Sequence, residues 1–325
     1  MTEEQIKSLQ KLHIVACGSA YHVGVIGKYV IEKLTRIPVE VEVASEFRYH
    51  DPIIDKNDLT IVISQSGETA DTLAALKEAK HKNSRILSIV NVVGSTIANA
   101  SDDILYTWAG PEIAVATTKA YSTQLSVIYL IALYIAEKKG TVSDNEYAEI
   151  IEELQKLPDK VSDILKDKNN VQYLASKFFN SKSIFFIGRN LDYAVALEGS
   201  LKLKEISYIH SEAYAAGELK HGTISLIEDG TLVVALATGE KLYEKTISNV
   251  KEVKARGAVV LGVVTDEHEY IDDFCDYVIK IPKTHEILLP SLAVIPLQLF
   301  GYYVASLKGC DIDKPRNLAK SVTVE

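Results

Sequence analysis

The residues from 198 to 222, EGSLKLKEISYIHSEAYAAGELKHG, hold a high density of ionisable side chains. They are Glu198, Lys202, Glu205, His210, Glu212, Glu218, Lys220 and His221. The first part predicts a helix, in which positions 198, 202 and 205 lie at i, i+4 and i+7 and therefore on one face. An acid, an amine and a second acid beside small and apolar residues indicate proton-transfer chemistry. The alternative is a solvated helix face with i,i+3 and i,i+4 ion pairs.

The composition limits which partners the chain can have. Apolar residues make up 47% of its 325 residues, enough for a sizeable core in two ordinary domains or one large one. The net charge is −9 and the sequence pI is about 5.5, without a run of basic residues. We therefore expect neither nucleic acid nor an anionic membrane as the main partner. An anionic ligand would have to be held locally, by backbone N–H groups and a few lysines.

The cysteines and histidines predict no metal centre and no other cofactor. Cys17, Cys275 and Cys310 are widely spaced and form neither a disulfide framework nor a metal-binding cluster. The eight histidines include no H-x-x-x-H pair. We expect buried or free thiols in a reducing compartment.

Two apolar runs need comparison with a membrane span. The run over 125–136 is too short, and the run over 287–307 is interrupted by Pro290, Pro296 and Gln298, so a buried interface helix fits it better. The N-terminus, MTEEQIKSLQKL, is acidic and amphipathic and does not have the pattern of a signal peptide. The sequence therefore predicts a soluble cytoplasmic protein.

Strand and helix patterns alternate along the chain. Predicted strands cover residues 13–16, 39–44, 59–64, 86–91 and 103–106, and predicted helices cover 21–34, 69–81 and 117–138. This βαβ alternation is typical of a doubly wound, flavodoxin-like parallel α/β sheet.

The pattern then starts again at a nearly constant offset. The matching pairs are Gly18 and Gly188 (188 − 18 = 170), Glu46 and Glu218 (218 − 46 = 172), Gly67 and Gly239 (239 − 67 = 172), and Asn91 and Thr265 (265 − 91 = 174). A constant offset indicates an internal duplication, the alternative being chance similarity between βαβ units. We predict a first subdomain over 1–140, a helical connector over 141–169, a second subdomain over 170–312 and a C-terminal tail over 313–325.

The clearest binding motif is SQSGET, residues 64–69, which follows a predicted buried strand and opens a predicted helix. Ser64, Ser66 and Thr69 supply hydroxyls, and Gly67 permits a turn that exposes backbone N–H groups at the positive end of the helix. This is the donor arrangement that a phosphate requires, although an ordinary capped βα turn has the same residues. Glu68 weakens the interpretation unless its side chain turns away. The matching second-half loop, residues 237–240, has lost most of these hydroxyls.

Further candidates lie in other loops that precede helices. Ser19 follows the first strand and is expected near the same pocket, while Cys17 beside it is better explained as a small core residue than as a nucleophile. Thr117 opens the long apolar helix and either lines the pocket or caps the helix. His221 belongs to the residue type that most readily exchanges a proton near neutral pH, so it is either a proton shuttle or a structural histidine.

Three segments carry a resemblance to a known family: SQSGETADTLAALKEAK, ALEGSLKLKEISYIHSEAYAAGELKHG and the terminal DKPRNLAKSVTVE. They resemble the isomerase part of the glutamine–fructose-6-phosphate aminotransferases, also called glucosamine-6-phosphate synthases. Each half of the chain resembles a sugar isomerase (SIS) domain, in agreement with the duplication. SQSGET marks the wider SIS superfamily and a phosphosugar ligand, whereas the other two segments are more specific.

The resemblance implies a role for each matching position. Ser64, Gln65, Ser66 and Thr69 would bind the sugar phosphate, with Ser19, Val115, Thr117, Glu198 and Ala319 as further substrate contacts. Glu205 would move a proton between C1 and C2, assisted by Lys202. His221 would help to open the ring of a sugar bound in the active site of a neighbouring subunit, which implies a homodimer. Lys320 would form a Schiff base with the sugar. Two departures are Ser19-Ala20, where the family often has Thr-Ser, and Thr117, where it often has serine.

The resemblance also implies a glutaminase domain that this chain does not include, so ammonia would come from that domain or from solution. The implied reaction converts fructose 6-phosphate to glucosamine 6-phosphate, or to glucose 6-phosphate without ammonia. One alternative is a stand-alone SIS enzyme that deaminates glucosamine 6-phosphate or isomerises a phosphosugar. An upstream glutaminase-coding region in the same reading frame would favour the aminotransferase over this stand-alone enzyme. A second alternative, a non-catalytic phosphosugar sensor, would not need Glu205, His221 and Lys320 together.

Overall fold

The computed structural model describes residues 1–268 and 271–324, apart from the side chain of residue 272. These residues form two compact units. The first consists of Met1–Ile150 together with the C-terminal segment from Ala319, and the second of Ile151–Leu318.

The first unit is a parallel sheet with helices between its strands. Its strands are β1 (Lys11–Ala16), β2 (Val39–Val43), β3 (Asp58–Ser64), β4 (Arg85–Val90) and β5 (Asp103–Tyr106). Its helices are α1 (Glu3–Lys7), α2 (Gly18–Thr35), α3 (Ala44–Phe47), α4 (Ala70–His81), α5 (Thr96–Ala100) and α6 (Lys119–Lys139). Helix α7 (Asp144–Lys166) runs across the boundary between the two units.

The second unit repeats this arrangement. Its strands are β6 (Ser183–Gly188), β7 (His210–Ala215), β8 (Leu232–Ala237), β9 (Val259–Thr265) and β10 (Tyr277–Ile281). Its helices are α8 (Lys168–Phe178), α9 (Leu191–Ser207), α10 (Tyr243–Lys254) and α11 (Leu289–Leu307). Short 3₁₀ turns cover Leu219–His221, Thr223–Leu226, Glu240–Leu242, Ile271–Asp273 and Glu286–Leu288.

The two sheets have the same strand order. The first runs β2-β1-β3-β4-β5 and the second, read from its β7 edge, β7-β6-β8-β9-β10, with every pairing parallel. This is a doubly wound strand order, in which the direction of strand addition reverses between the first and third strands of each sheet. In such folds ligands bind at the carboxyl ends of the strands, at the point where the order reverses. The predicted fold class of two related α/β subdomains is confirmed.

The offsets between equivalent strands support the duplication. Strand β1 begins at Lys11 and β6 at Ser183, so the offset is 183 − 11 = 172. Strand β5 begins at Asp103 and β10 at Tyr277, so the offset is 277 − 103 = 174. The helix after β1 begins earlier than the predicted residue 21, because Gly18 has a φ of +55° and lets α2 start directly after the strand.

Helix α11 is long and apolar enough to span a membrane by length and composition, with a mean hydropathy of 1.7 over its most apolar window. However, 72% of that window is buried in the structure, and the helix packs against α8 and α9 of its own unit. A Cβ on Gly199 of α9 would lie 2.5 Å from Leu297 Cδ1 of α11, so a larger residue there would force Leu297 to shift where the two helices touch. The helix therefore has the burial of a core helix.

Candidate active site

The loop after β3 is held by its own hydroxyls. Ser64 Oγ and Thr69 Oγ1 are 2.9 Å apart and hydrogen-bonded, and the N–H of Gly67 donates to Ser64 Oγ over 3.1 Å. The N–H of Glu68 donates to Ser66 Oγ over 3.2 Å. These bonds hold the hydroxyls and amides of the loop close together directly before α4, a helix of 12 residues. A bound anion could take the place of the hydroxyl oxygens as acceptor, and the same N–H and O–H groups would donate to it.

Glu68 does not oppose an anion in this loop, because its side chain turns away. Its carboxylate accepts hydrogen bonds from the N–H and hydroxyl of Thr96, at 2.8 and 2.7 Å, and these bonds lower its pKa. Gly67 has a φ of +66°, and a Cβ there would lie 2.0 Å from Ser95 Oγ. The interpretation as a phosphate loop required the Glu68 side chain to turn away from the loop, and the structure meets this condition.

The C-terminal tail is irregular in backbone but is bonded to this loop. Ser321 Oγ lies 3.1 Å from Ser66 Oγ, and the N–H of Ala70, the first residue of α4, donates to the carbonyl oxygen of Val322 over 3.0 Å. The tail carbonyl thus occupies one N–H at the helix end that the sequence offered to an anion. Ala319, which precedes Lys320, is exposed.

Lys320 contacts the segment between β5 and α6. Its ammonium donates to the carbonyl oxygen of Ala114 over 2.7 Å and to Glu112 Oε2 over 3.3 Å. Glu112 was not predicted as a site residue, although its side chain is only 5% exposed. It also accepts the Thr117 hydroxyl, at 2.5 Å, and the N–H of Thr118, at 2.9 Å. Burial alone would raise the pKa of Glu112, but these donors and the Lys320 charge lower it overall.

The remaining predicted residues of the first unit lie at the same edge of the sheet. Ser19 is in the first turn of α2, directly after β1, and is buried. Gln65 and Val115 are half-buried in the segments that follow β3 and β5. Burial raises the pKa of the neighbouring Cys17 thiol, as expected for a core cysteine rather than a nucleophile.

In the second unit, the predicted acid–amine–acid group is assembled on α9. Lys202 is 2% exposed, and its ammonium bonds to the carboxylate of Glu205 and lies 3.5 Å from Glu198 Oε1. Glu198 is fully buried, whereas Glu205 is 22% exposed. Burial would lower the pKa of Lys202, but the two carboxylates raise it overall. The solvated-face alternative is therefore wrong, because this face of the helix is inside the unit.

His221 ends the 3₁₀ turn Leu219–His221 and is exposed. Its neighbour Lys220 pairs with Glu252 of α10 at 3.6 Å. The structure thus brings the predicted residues together in two groups, one in each unit, and leaves His221 on the surface of the second.

The loop after β8, equivalent to the SQSGET loop, is filled by a side chain of its own unit. Asp192 of α9 accepts hydrogen bonds from the N–H and hydroxyl of Thr238, at 2.9 and 2.5 Å, and from the N–H of Gly239 at 3.4 Å. Burial raises the pKa of Asp192, and the three donors offset only part of that rise. The sequence indicated that this loop had lost its hydroxyls but not that a carboxyl occupies its amides.

One group in the described residues has metal-ligand spacing: His13, Glu40 and Glu42, whose ligand atoms lie within 4.8 Å of one another. Lys11 pairs with Glu40 at 2.5 Å, and His50 pairs with Glu42, so both carboxylates already have a cationic or donor partner. This accounts for the group without an ion.

The comparisons with known proteins agree with this architecture. The family model described as SIS domain matches residues 5–134 and 177–308, one match in each half of the chain. The chain therefore belongs to the SIS-domain family.

Two relatives within that family have the same name. A protein of Caldanaerobacter subterraneus subsp. tengcongensis is 63% identical over 325 residues, covering 100% of this chain, and one of Methanosarcina acetivorans is 48% identical over the same length. Both are named glutamine–fructose-6-phosphate aminotransferase [isomerizing]. The chain spans about half of their length, 54% and 53%.

A solved structure matches this half alone. The C-terminal domain of glucosamine-fructose-6-phosphate aminotransferase from Francisella tularensis superposes with a TM-score of 0.92 at 40% identity, covering 96% of this chain and 88% of that one. The resemblance predicted from the sequence is thus confirmed: the chain corresponds to the C-terminal isomerase half of these aminotransferases.

Proposed function

We propose that the chain carries out the isomerase reaction of a glutamine–fructose-6-phosphate aminotransferase, converting fructose 6-phosphate and ammonia to glucosamine 6-phosphate. The observation that carries the proposal is the 63% identity over the whole chain with a relative of that name. The side-chain chemistry of the two units supports it. Without ammonia, the same proton transfer gives glucose 6-phosphate.

Binding of the phosphate group is assigned to the first unit. The sugar phosphate accepts from the Ser64, Ser66 and Thr69 hydroxyls and from backbone N–H groups of residues 65–69, replacing the hydroxyl–hydroxyl bonds seen between them. The proposed substrate contacts also include Gln65, Ser19, Val115, Thr117, Glu198 and Ala319.

The chemistry begins with ring opening, which we assign to His221 as proton carrier to the ring oxygen. The amine of Lys320, or ammonia, then attacks C2, a C–N bond forms and the carbonyl oxygen leaves as water. The resulting imine makes the C1 proton more acidic. If Lys320 forms the imine, ammonia displaces the lysine amine before proton transfer, so that the bond between C2 and the lysine nitrogen breaks and the free amine is restored. Glu205 then removes the C1 proton, leaving an enamine, and returns it to C2, while the O1 hydroxyl proton is released to solvent and C1 becomes the aldehyde carbon. Without ammonia, the C2 ketone itself undergoes the same transfer through an enediol.

Lys202 keeps the charge of this site fixed. Its raised pKa means that it remains an ammonium at neutral pH, between Glu205 and Glu198. A fixed positive charge beside Glu205 stabilises negative charge that develops on the substrate oxygen.

We further propose a cytoplasmic homodimer in which His221 acts in the active site of the neighbouring subunit. The exposure of His221 in the single chain is consistent with that role. Ammonia would come from a glutaminase domain, because the relatives are about twice as long as this chain.

A second candidate function is glucosamine-6-phosphate deamination, the same chemistry in reverse. It is favoured by a structure titled glucosamine-6-phosphate deaminase from Thermotoga maritima, which superposes with a TM-score of 0.77 at 26% identity over 96% of this chain. The much higher identity to the aminotransferases favours the synthetic direction.

One assay tests both. The chain is incubated with fructose 6-phosphate, with and without ammonium, and glucose 6-phosphate and glucosamine 6-phosphate are quantified. We expect glucose 6-phosphate in both samples and glucosamine 6-phosphate with ammonium. Formation of neither product would overturn the proposal, and efficient release of ammonia from glucosamine 6-phosphate with no synthesis would favour the deaminase.

A further inference from the structure

Glu112 is a buried carboxylate that no part of the mechanism above uses. Its side chain is 5% exposed and lies in the segment between β5 and α6. A buried carboxylate is costly unless it is paired and hydrogen-bonded. The partners that Glu112 has therefore indicate what it is for.

Two of these partners belong to its own segment. The N–H of Thr118, the N-cap of α6, and the hydroxyl of Thr117 donate to the carboxylate at 2.9 and 2.5 Å. The start of a helix carries partial positive charge, which favours a carboxylate there. These two bonds tie Glu112 to its own segment.

The third partner is Lys320, which lies 208 residues further along the chain. Its ammonium is 3.3 Å from Glu112 Oε2 and 2.7 Å from the carbonyl oxygen of Ala114, so a fixed acceptor pair determines where the amine is held. The next two tail residues, Ser321 and Val322, bond to Ser66 and Ala70 of the phosphate loop and α4. The tail thus reaches from the Glu112 segment to the SQSGET loop.

We infer that Glu112 is the positioning residue for Lys320: it holds the amine at the edge of the proposed phosphate loop, where a bound sugar would meet it. Glu112 acts through Lys320 and takes no part in bond making. The inference rests on the proposed function for the imine step, but the position of Lys320 can be measured without it.

The test uses the whole chain and two measurements. The first is reductive trapping with borohydride in the presence of fructose 6-phosphate, followed by mass spectrometry of the Lys320 peptide. The second is limited trypsin digestion, in which cleavage after Lys320 releases the five-residue peptide SVTVE. Glu112→Gln keeps the size of the side chain and removes its charge. We expect trapping at Lys320 to fall at least about 10-fold and cleavage after Lys320 to become several-fold faster, whereas the KM for fructose 6-phosphate changes by less than about 3-fold.

Asp102→Asn is the matched control. Asp102 also accepts a backbone N–H, from Ile86 at 2.8 Å, and pairs with a lysine, Lys80 at 3.4 Å, in the same unit. We expect wild-type trapping and cleavage after Lys320 in this variant. If Glu112→Gln does not fold, Glu112→Asp replaces it, because the shorter carboxylate keeps the charge but cannot reach both Thr118 and Lys320.

Wild-type trapping and wild-type cleavage in the folded Glu112 variant would overturn the inference and leave the proposed function standing. The opposite failure is also recognisable. If the wild-type chain gives no adduct at Lys320, but the Glu112 variant still exposes Lys320 to trypsin, the imine step is wrong and the positioning role holds.

Discussion

Lys202 and Glu205 form an ion pair on one face of α9, with the amine 2% exposed and the acid 22% exposed. The pair is therefore asymmetric: the cation is fixed inside the unit, and the carboxylate is at the boundary with solvent. Glu198, fully buried on the other side of Lys202, is a second carboxylate that raises the pKa of the ammonium.

Replacement of Glu205 tests this asymmetry. Glu205→Gln should reduce isomerisation by about 10²–10⁴-fold, because a glutamine cannot carry the proton between C1 and C2. Binding of fructose 6-phosphate, measured by isothermal titration, should change little. Glu244→Gln, an exposed acid on α10, is the control and should turn over like wild type. Wild-type activity in Glu205→Gln would remove Glu205 from the mechanism.

Replacement of Ser64 tests the phosphate loop. Ser64→Ala removes a hydroxyl that bonds to Thr69 and to the N–H of Gly67. A hydrogen bond to a charged group contributes about 1.5–3 kcal/mol, so the KM for fructose 6-phosphate should rise roughly 10-fold or more with a smaller change in kcat. Ser101→Ala removes a hydroxyl bonded to Ile97 O on α5 and should leave KM unchanged. An equal KM in the two variants would place the phosphate elsewhere.

Mixed subunits test whether His221 is shared. If it acts across a dimer, His221→Ala and Glu205→Gln subunits are each inactive alone but form one intact site when combined. Co-refolded mixtures should recover up to about a quarter of wild-type activity, because half of the subunits are in hybrids and one of the two hybrid sites is intact. Failure to recover activity, after mass spectrometry has established subunit exchange, would confine His221 to its own chain.

Asp192 should contribute measurably to stability. Asp192→Ala leaves the Thr238 and Gly239 donors in the second-half loop without their acceptor, at a cost of about 1–3 kcal/mol in the free energy of unfolding. Asp192→Asn retains one acceptor oxygen and should lose less. Urea unfolding monitored by circular dichroism compares the two. An alanine variant as stable as wild type would mean that water or another group satisfies those donors.

Acidification should weaken the second unit through Glu153 of α7. Burial opposes the shift, but hydrogen bonds from Lys160, Lys156 and Thr284 lower the pKa of Glu153 from 4.5 to about 2. Because the folded pKa is depressed, the stabilisation is complete above pH 4.5 and is lost as the pH falls towards 2. Its size is roughly 1 kcal/mol after allowance for solvent screening. Glu153→Gln should flatten the pH dependence of the urea midpoint in this window, and an unchanged slope would contradict the role of Glu153.

The sequence predicted what depends on local periodicity. The three residues 198, 202 and 205 share a helix, so their common face followed from spacing alone, and the repeat of strand patterns predicted the two sheets. The β3 strand was expected at 59–64 and is Asp58–Ser64, and the helix after it was expected at 69–81 and is α4, Ala70–His81.

Contacts between distant parts of the chain were not predictable in this way. Glu112 lies in an irregular segment, and its lysine partner is 208 positions away, so no pattern connects the two. Asp192 reads as an ordinary residue in the first turn of a helix, and only the folded unit places it against a loop 46 positions further on. The sequence signal for this contact was indirect. Because the loop over 237–240 has lost most of its hydroxyls, its backbone N–H groups need another acceptor.

The Asp192 contact has a consequence for how the two halves respond to metabolite supply. A loop that carries its own acceptor is complete as soon as the chain folds, so its rigidity does not vary with concentration. The proposed phosphate loop gains RT ln(1 + [L]/Kd) only when sugar phosphate is present. Without fructose 6-phosphate, the amino-terminal copy would lose this ligand-dependent part of its stability. The stability of the second copy would not depend on the substrate concentration.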